Sequence, residues 1–355
     1  MAPAAQIRKL IKGRNRNLMS KHLNRQVQLA ARPEGLPKPA DWTITEEPVS
    51  EPGPEEVLVK VRYISVDPAM RGWMNDRPSY VPVLGLGAVM RALTVGEVVA
   101  SNSGAHRVGD WVAGLDGVQD YAISDGSQYM KIDTGLAPPQ TYLNTLGIAG
   151  LTAYCGLLEV GQFQAGNTVL VSGAAGSVGA HVGQIAKLKG GRAVGIAGGP
   201  EKCAYLIDEL GFDAAIDYKK ENLYKSLGRA CPDGIDLFFD NVGGDTLNTG
   251  LAFINVGARV VICGAISQYN ETRSFQGPSN YIRLLMRSSR MEGFIYFDFR
   301  DKWPGMLKDL ASWRAEGKIV CREDITEGPV DIFPDTLLRL FSGENFGKLM
   351  IKLPE

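Results

Sequence analysis

The sequence predicts an α/β protein in which a doubly wound parallel sheet is inserted into a β-rich domain. Three features carry the prediction. A turn-rich front section reads as short strands, a middle section alternates strands with helices, and the C-terminal residues resemble the front again. A chain of 355 residues has room for two such domains.

The β-rich stretch runs from Arg32 to Gly114. Pro33, Gly35, Pro37 and Pro39, then Pro48, Pro52, Gly53 and Pro54, punctuate it with turns. Val57, Val59, Val61 and Tyr63 fall on one side of a period of two, with Lys60 and Arg62 opposite, as in a half-buried strand. Val95–Val99 and Trp111–Val112 read as further strands, separated by a Gly109-Asp110 turn.

After about Gly147 the pattern changes. Val169–Ser172 is a short apolar run that ends in a glycine loop, and Val178, Val182, Ile185, Ala186 and Leu188 give Val178–Lys189 a helical stripe. Ala193–Ala197, Ala214–Ile216, Ile235–Asp240 and Arg259–Ile266 read as strands. Lys202–Leu210 reads as a helix between them, and Leu247, Leu251 and Ile254 are spaced as another. Strands joined by such helices make right-handed βαβ units and a parallel sheet. Residues 303–317 form an amphipathic helix with Trp303, Met306, Leu307, Leu310 and Trp313 on one face. A helix near Asp335–Phe341 and a strand near Lys348–Lys352 close the chain, and that strand is expected to rejoin the front domain.

Composition narrows the function classes. Hydrophobic residues make up 45% and charged residues 22%, which excludes disorder, collagen and small disulfide scaffolds. No apolar run is long enough to span a membrane. Five scattered cysteines without a CxxC point to a reducing compartment, and a cytoplasmic location is expected. The net charge of −1 hides an asymmetry, because residues 1–33 hold eight basic side chains and no acid. A mildly acidic body with a short basic arm speaks against a nucleic-acid binder. The arm is transit-like in composition, but Met19-Ser20 looks like a second start, so residues 1–19 read as an upstream extension; a membrane or partner tether is a weaker reading.

The segment Gly173-Ala-Ala-Gly176-Ser-Val-Gly179 follows a strand and opens a helix, where a dinucleotide fingerprint belongs. Gly176 would let the backbone approach a pyrophosphate, and Gly179 would let the helix pack close to the strand. The free N–H groups and the positive helix end then hold phosphate. Ala174 replaces the first fingerprint glycine, so the position within an α/β alternation carries the argument. The next strand ends Ile196-Ala197-Gly198-Gly199 with no carboxylate at its tip, and Lys202 follows. Space and positive charge there suit a 2′-phosphate, and NADP is therefore the expected cofactor. The expected division is an N-terminal extension 1–19, a β-rich substrate domain 20–145, a dinucleotide-binding domain 146–315 and a return to the substrate domain over 316–355.

Several ordered segments carry a resemblance: Tyr63-Ile-Ser-Val-Asp67-Pro68-Ala69-Met70-Arg71-Gly72, Gly150-Leu-Thr152-Ala-Tyr154, Ala175-Gly-Ser-Val-Gly179, Asp240-Asn241-Val-Gly-Gly244, Cys263-Gly-Ala-Ile-Ser-Gln-Tyr269-Asn270, Met291-Glu-Gly-Phe294 and Glu344-Asn345-Phe-Gly-Lys348. Over residues 22–355 the chain resembles the zinc-free, medium-chain, NADP-dependent alkenal/one reductases, a family that includes prostaglandin reductases and plant double-bond reductases, and most of all its bacterial curcumin-reductase-like branch. The resemblance implies a Rossmann sheet inserted into a GroES-like domain, a homodimer, and a small-molecule enone or enal substrate. It places Gly176, Ser177, Val178 and Gly179 on the pyrophosphate and Lys202 and Tyr218 at the adenosine 2′-phosphate. Thr152, Asn241, Cys263, Gly264, Ala265, Ile266, Ser267, Tyr269, Phe294, Ile295, Tyr296 and Asn345 would line the cofactor. Lys202 could instead be a solvated helix-start lysine, and Tyr218 a surface aromatic. Cys263 reads as a small packing residue rather than a reactive thiol.

A zinc dehydrogenase needs Cys, His and acidic ligands. This chain has three histidines, His22, His106 and His181, and no cysteine in its first 154 residues, so no metal site is expected. His181 reads as a packing or capping residue. An already polarised double bond is then the easiest hydride acceptor. Hydride would reach the β-carbon of an enal or enone, and the developing enolate needs a hydrogen-bond donor. Tyr269 is the candidate, acting with the nicotinamide-ribose hydroxyl, since a phenol donates without carrying charge; a purely structural ribose contact is its alternative role. Arg71 and Tyr80 are candidate substrate contacts in the domain that roofs the nicotinamide, although Asp67 and Arg71 could equally form a structural ion pair, which is the favoured reading. Ala69 stands where many relatives have tyrosine, which widens the expected pocket. The Gly147–Gly150 run also lacks a proline common in relatives. A quinone reductase on the same scaffold and a non-catalytic NADPH-binding protein are the competing functions.

Overall fold

The computed structural model describes residues 22–274 and 276–355, and the predicted extension 1–19 lies outside them. Two sheets organise the molecule, with a small ribbon at the front. The ribbon pairs β1 (Leu23–Leu29) antiparallel with β2 (Trp42–Pro48). It begins upstream of the predicted β section, because its buried positions are only Val27 and Leu29, Leu23 is exposed, and the other four positions are polar.

The first large sheet is built on β3 (Val57–Ser65), with β4 (Thr94–Ser101), β5 (Trp111–Gly114), β6 (Tyr121–Ser124) and β7 (Met130–Lys131). Val57, Val59 and Val61 are buried, and Lys60 and Arg62 are half-exposed, as the period of two predicts. Leu58 and Ile64 are buried as well, Ile64 in the apolar cluster that also holds Met70, Phe333 and Leu349.

The second sheet contains β8 (Thr168–Ser172), β9 (Arg192–Ala197), β10 (Ala214–Asp217), β11 (Ile235–Asp240), β12 (Ile254–Ile262) and β13 (Arg290–Gly293). All neighbours pair parallel in the order β10-β9-β8-β11-β12-β13. This is the doubly wound α/β sheet that the strand–helix alternation predicts. The order reverses between β8 and β11, which leaves a crevice at the carboxyl ends of the strands. The helix Ser177–Leu188 covers one side of it, burying Val182, Ile185 and Ala186.

Three departures from the sequence reading have local causes. Ile254 is spaced as part of a helix, yet the helix Gly244–Gly250 ends early and Ile254 opens β12 opposite Ile235. The predicted strand end at residues 263–266 leaves the sheet, because the Cys263 and Gly264 N–H groups donate to the Asp240 carbonyl at 2.9 and 3.2 Å. Residues 148–160, not predicted as an element, form the helix Ile148–Tyr154 continued by a π-helical turn, Cys155–Val160. A Cβ at Gly156 would meet Phe239 Cε2 at 2.5 Å and Phe294 Cζ at 2.6 Å, so glycine there admits two rings against the helix.

The chain then returns to the first sheet. The helix Trp303–Ala315 buries Met306 and Leu310, while Trp313 stacks on Tyr154 with centroids 5.9 Å apart. β14 (Glu323–Glu327) pairs with β15 (Lys348–Lys352), and β15 pairs antiparallel with β3, Met350 opposite Ser65. The helix Phe333–Ser342 lies between β14 and β15, and Gly343 caps it in the left-handed region at φ +70°.

Candidate active site

A cavity of about 800 Å³ lies along the crevice and reaches residues of both sheets. Its floor is the glycine loop. Gly173 turns the chain at φ +58°, and Gly176 leaves extended backbone just before the helix Ser177–Leu188. A Cβ at Gly179 would stand 2.4 Å from the Gly173 carbonyl oxygen, so only glycine allows this approach of helix and strand. The first N–H groups of such a helix have no intrahelical acceptor and face the crevice as anion donors. The Ser177 hydroxyl is occupied by Asn144 Oδ1 at 3.0 Å, which leaves its backbone as the group available to a ligand.

At one end of the cavity β9 stops at Ala197, and Gly198 and Gly199 follow. A Cβ at Gly198 would meet Tyr218 Cε1 and Lys219 Cε, each at 2.9 Å, so both side chains flank the strand tip. Lys202 donates to the Gly343 carbonyl at 2.8 Å and lies 5.9 Å from the Phe346 ring centroid. Burial, and then the charge of Lys219, holds the Lys202 ammonium below its usual range. Two cations beside a strand tip that carries no carboxylate form a site for a strong anion. Asp217, at the end of β10, is buried; its Oδ1 accepts the Gly199 and Lys219 N–H groups at 2.8 and 3.1 Å, while its Oδ2 has no partner among the described residues. The residues fit a dinucleotide with a phosphate on its adenosine ribose.

At the other end, Asp240 and Asn241 brace the strand tips. The buried Asp240 accepts from Ser172 Oγ at 2.6 Å, and Asn241 Nδ2 donates to the Ser172 carbonyl at 2.7 Å. The turn that follows β12 carries Tyr269 on the cavity wall. Its phenol oxygen accepts the Ala265 N–H at 3.1 Å, so the phenol proton remains free to be donated. Burial, with that bond opposing it, pushes the Tyr269 phenol up to about 12. Cys263 beside it is also pushed up to about 12 by burial and then by Asp240, which keeps it a neutral thiol. Trp73 Nε1 donates to the Tyr80 hydroxyl at 2.9 Å across the opening.

Of the predicted residues, Thr152, Gly176, Ser177, Val178, Gly179, Lys202, Tyr218, Asn241, Cys263, Gly264, Ile266, Ser267, Tyr269, Phe294, Ile295, Tyr296, Asn345 and Tyr80 border this one cavity. Ala265 does not; its N–H orients Tyr269 instead. Arg71 is buried away from the cavity. Its guanidinium donates to the Gly35 and Pro33 carbonyls, each at 2.9 Å, and to Asn75 Oδ1 at 2.7 Å. That accounts for its fork and corrects both expectations for it, as a substrate contact and as the partner of Asp67. The partner of Asp67 is Lys348, with Nζ 2.6 Å from Oδ1, and Ser65 also donates to Asp67. His181 is fully buried between the Ser177 carbonyl at 2.6 Å and Thr145 Oγ1 at 2.9 Å, and burial lowers it to about 4. Among the described residues, no group of three or more His, Cys, Asp and Glu side chains is placed to hold a metal ion.

Comparison with known proteins settles the ancestry. A profile described as the N-terminal domain of oxidoreductases matches residues 25–132, and one described as zinc-binding dehydrogenase matches residues 177–312. The NADPH-dependent curcumin reductase of Escherichia coli is 42% identical over 338 residues, 94% of this chain and 98% of that protein. The chain belongs to the medium-chain dehydrogenase/reductases. Among other members, the NADP+-dependent 2-alkenal reductase of Nicotiana tabacum is 38% identical over 334 residues, 92% of this chain and 97% of that one. CurA of Vibrio vulnificus, crystallised in complex with NADPH, superposes with a TM-score of 0.89 at 41% identity, covering 93% of this chain and 99% of CurA.

Within this medium-chain reductase cavity, sequence reasoning missed Lys348 and Arg91, and it missed Lys219 beside the Gly198 strand tip. The paired lysines at 219 and 220 are a signal beside the strand tip. Lys348 has one in its setting, since Leu349, Met350 and Ile351 are all buried next to it.

Proposed function

We propose that this protein uses NADPH to reduce the carbon–carbon double bond of α,β-unsaturated aldehydes and ketones. One observation carries the proposal: a buried, protonated phenol, already oriented by a backbone N–H, stands at the end of a dinucleotide crevice. Relatives named for curcumin and 2-alkenal reduction, each aligned along nearly its whole length, support the substrate class.

Bound NADPH supplies a hydride for the β-carbon. The chain contributes orientation and electrostatics. The loop Gly176–Gly179 and the cations Lys202 and Lys219 hold the cofactor's phosphates. Thr152, Phe294 and Tyr296 wall the reactive end, and their apolar surface excludes water from it. Tyr269 donates its hydrogen bond to the substrate carbonyl oxygen, where negative charge develops, and this stabilises the enolate; the α-carbon then takes a proton from solvent or through the phenol, which completes the reduction. Tyr80 borders the substrate in the same cavity.

In this reading residues 20–145 and 316–355 form the substrate domain and 146–315 the nucleotide domain. A homodimer is supported by the exposed Tyr281, Ile282, Leu285 and Met286 beside β13 at the sheet edge. A cytoplasmic setting agrees with five unpaired cysteines. The test follows NADPH absorbance with nonenal, a ring-bearing enone and a quinone, and NADP+ reduction with an alcohol. Oxidation with nonenal or the enone is expected; activity confined to the quinone or the alcohol overturns the proposal.

A further inference from the structure

One charged donor in the cavity wall is left unused by this chemistry. Arg91 borders the cavity with Trp73, Tyr80, Val81 and Leu115. Its Nη2 donates to the Pro82 carbonyl at 3.0 Å, and its guanidinium carbon stands 5.9 Å from the Trp73 ring centroid. Its Nη1 is buried with no hydrogen-bond partner. A guanidinium stays charged at every working pH, and a shielded charged donor without an acceptor is a free-energy cost that calls for an explanation.

The surrounding charges sharpen the point. Asp67 is neutralised by Lys348 at 2.6 Å. Glu271, two residues past Tyr269, lines the cavity but forms no salt bridge with Arg91 among the described residues. Arg91 is therefore an uncancelled positive charge at the substrate end, set between the apolar surfaces of Trp73, Val81 and Leu115. It acts electrostatically on Tyr80, and Tyr80 in turn on Tyr269, so Tyr80 lies within reach of both.

Building on the enone reading, we propose that Arg91 is a specificity determinant that binds a carboxylate on the substrate tail, distal to the reacting carbonyl. The planar fork matches a carboxylate in two-point geometry, whereas a neutral hydroxyl or ether satisfies a donor and leaves the charge uncompensated. Apolar walls between Tyr80 and Arg91 suit the hydrocarbon that links the two ends.

The test compares linear enones of equal chain length that end in methyl or in carboxylate, across several lengths. With wild-type protein and NADPH, kcat/KM is expected to favour the carboxylate by about tenfold at the best length. Arg91→Met should bring that ratio to about one, and Arg91→Lys should keep part of it. Octanoate, titrated calorimetrically into protein loaded with NADP+, should bind at least about tenfold more weakly to Arg91→Met than to wild type. Equal kcat/KM for the paired enones, or an equal loss on both in Arg91→Met, overturns the role of Arg91 while double-bond reduction stands. If neither enone oxidises NADPH, the reduction reading falls, and the octanoate titration still decides whether Arg91 holds a carboxylate: undiminished binding to Arg91→Met, or none to wild type, rejects it. If Arg91→Met does not fold, Arg91→Lys serves in its place.

Discussion

The Tyr269 phenol oxygen accepts a hydrogen bond from the Ala265 backbone four residues earlier, at 3.1 Å. One lone pair is thereby fixed and the O–H vector is directed away from the turn into the cavity. Removing the hydroxyl should remove transition-state stabilisation and little else. Tyr269→Phe is expected to lower kcat by about a hundredfold while NADPH affinity stays within about twofold. Steady-state rates and cofactor titration check this, and unchanged kcat would take Tyr269 out of the mechanism.

The same phenol sets a pH dependence. Burial raises it to about 12, and the donating form is the protonated one. Tyr269 therefore stays competent as pH rises through the ordinary tyrosine range, and its contribution is lost only as pH nears that value. A pH–rate profile should show no loss from this group around pH 9 to 10; a descending limb there that vanishes in Tyr269→Phe would contradict it.

Lys202 should discriminate the two nicotinamide cofactors. Lys202→Ala is expected to weaken NADPH binding by about tenfold and to leave NADH binding nearly unchanged. Direct titration of both cofactors measures it. Equal losses would assign Lys202 to its bond with Gly343 instead.

Much of the fold was legible because its signals are local. The apolar run before Gly173 and the stripe after Gly176 need only neighbouring residues to be read, and β8 and the helix Ser177–Leu188 lie where they predict. The strand-tip argument at Gly198 worked for the same reason, since an absent carboxylate is visible in one segment. Lys348 and Asp67 were not legible as a pair, because 281 positions separate them. Arg71 sits in the segment that leads to the cavity, but two carbonyls from a distant turn claim it. β13 was missed because all four of its residues are exposed at a sheet edge and carry no apolar alternation.

Lys348 makes a stability prediction. Its ammonium is almost fully buried and lies 2.6 Å from Asp67 Oδ1. Lys348→Met leaves Asp67 without its partner and should destabilise the protein by about 3–5 kcal/mol. The double variant Lys348→Met with Asp67→Asn should recover much of that loss. Denaturant unfolding of the wild type and the three variants gives the coupling directly; additive losses would mean the pair is not the unit.

His181 gives a second pH prediction, with the opposite sign from Tyr269. Its native value is lowered to about 4 by complete burial, so the unfolded chain binds the proton first. Stability should therefore be fully retained above about pH 6.5 and fall as pH drops towards 4, by roughly 3 kcal/mol in total. Unfolding midpoints across that window check it, and His181→Gln should flatten the profile. An unchanged slope in that variant would place the effect elsewhere.

The antiparallel seam of β15 on β3 also governs how the protein is made. Ser65 leaves the ribosome well before its strand neighbour Met350, with the whole parallel sheet translated between them. Until then β3 exposes an unpaired edge on a nascent polypeptide, while the parallel sheet between them already has every strand it needs. The middle of the molecule can mature during synthesis, but the front must wait until β15 has been made. Chaperone dependence should accordingly concentrate on the segment around β3.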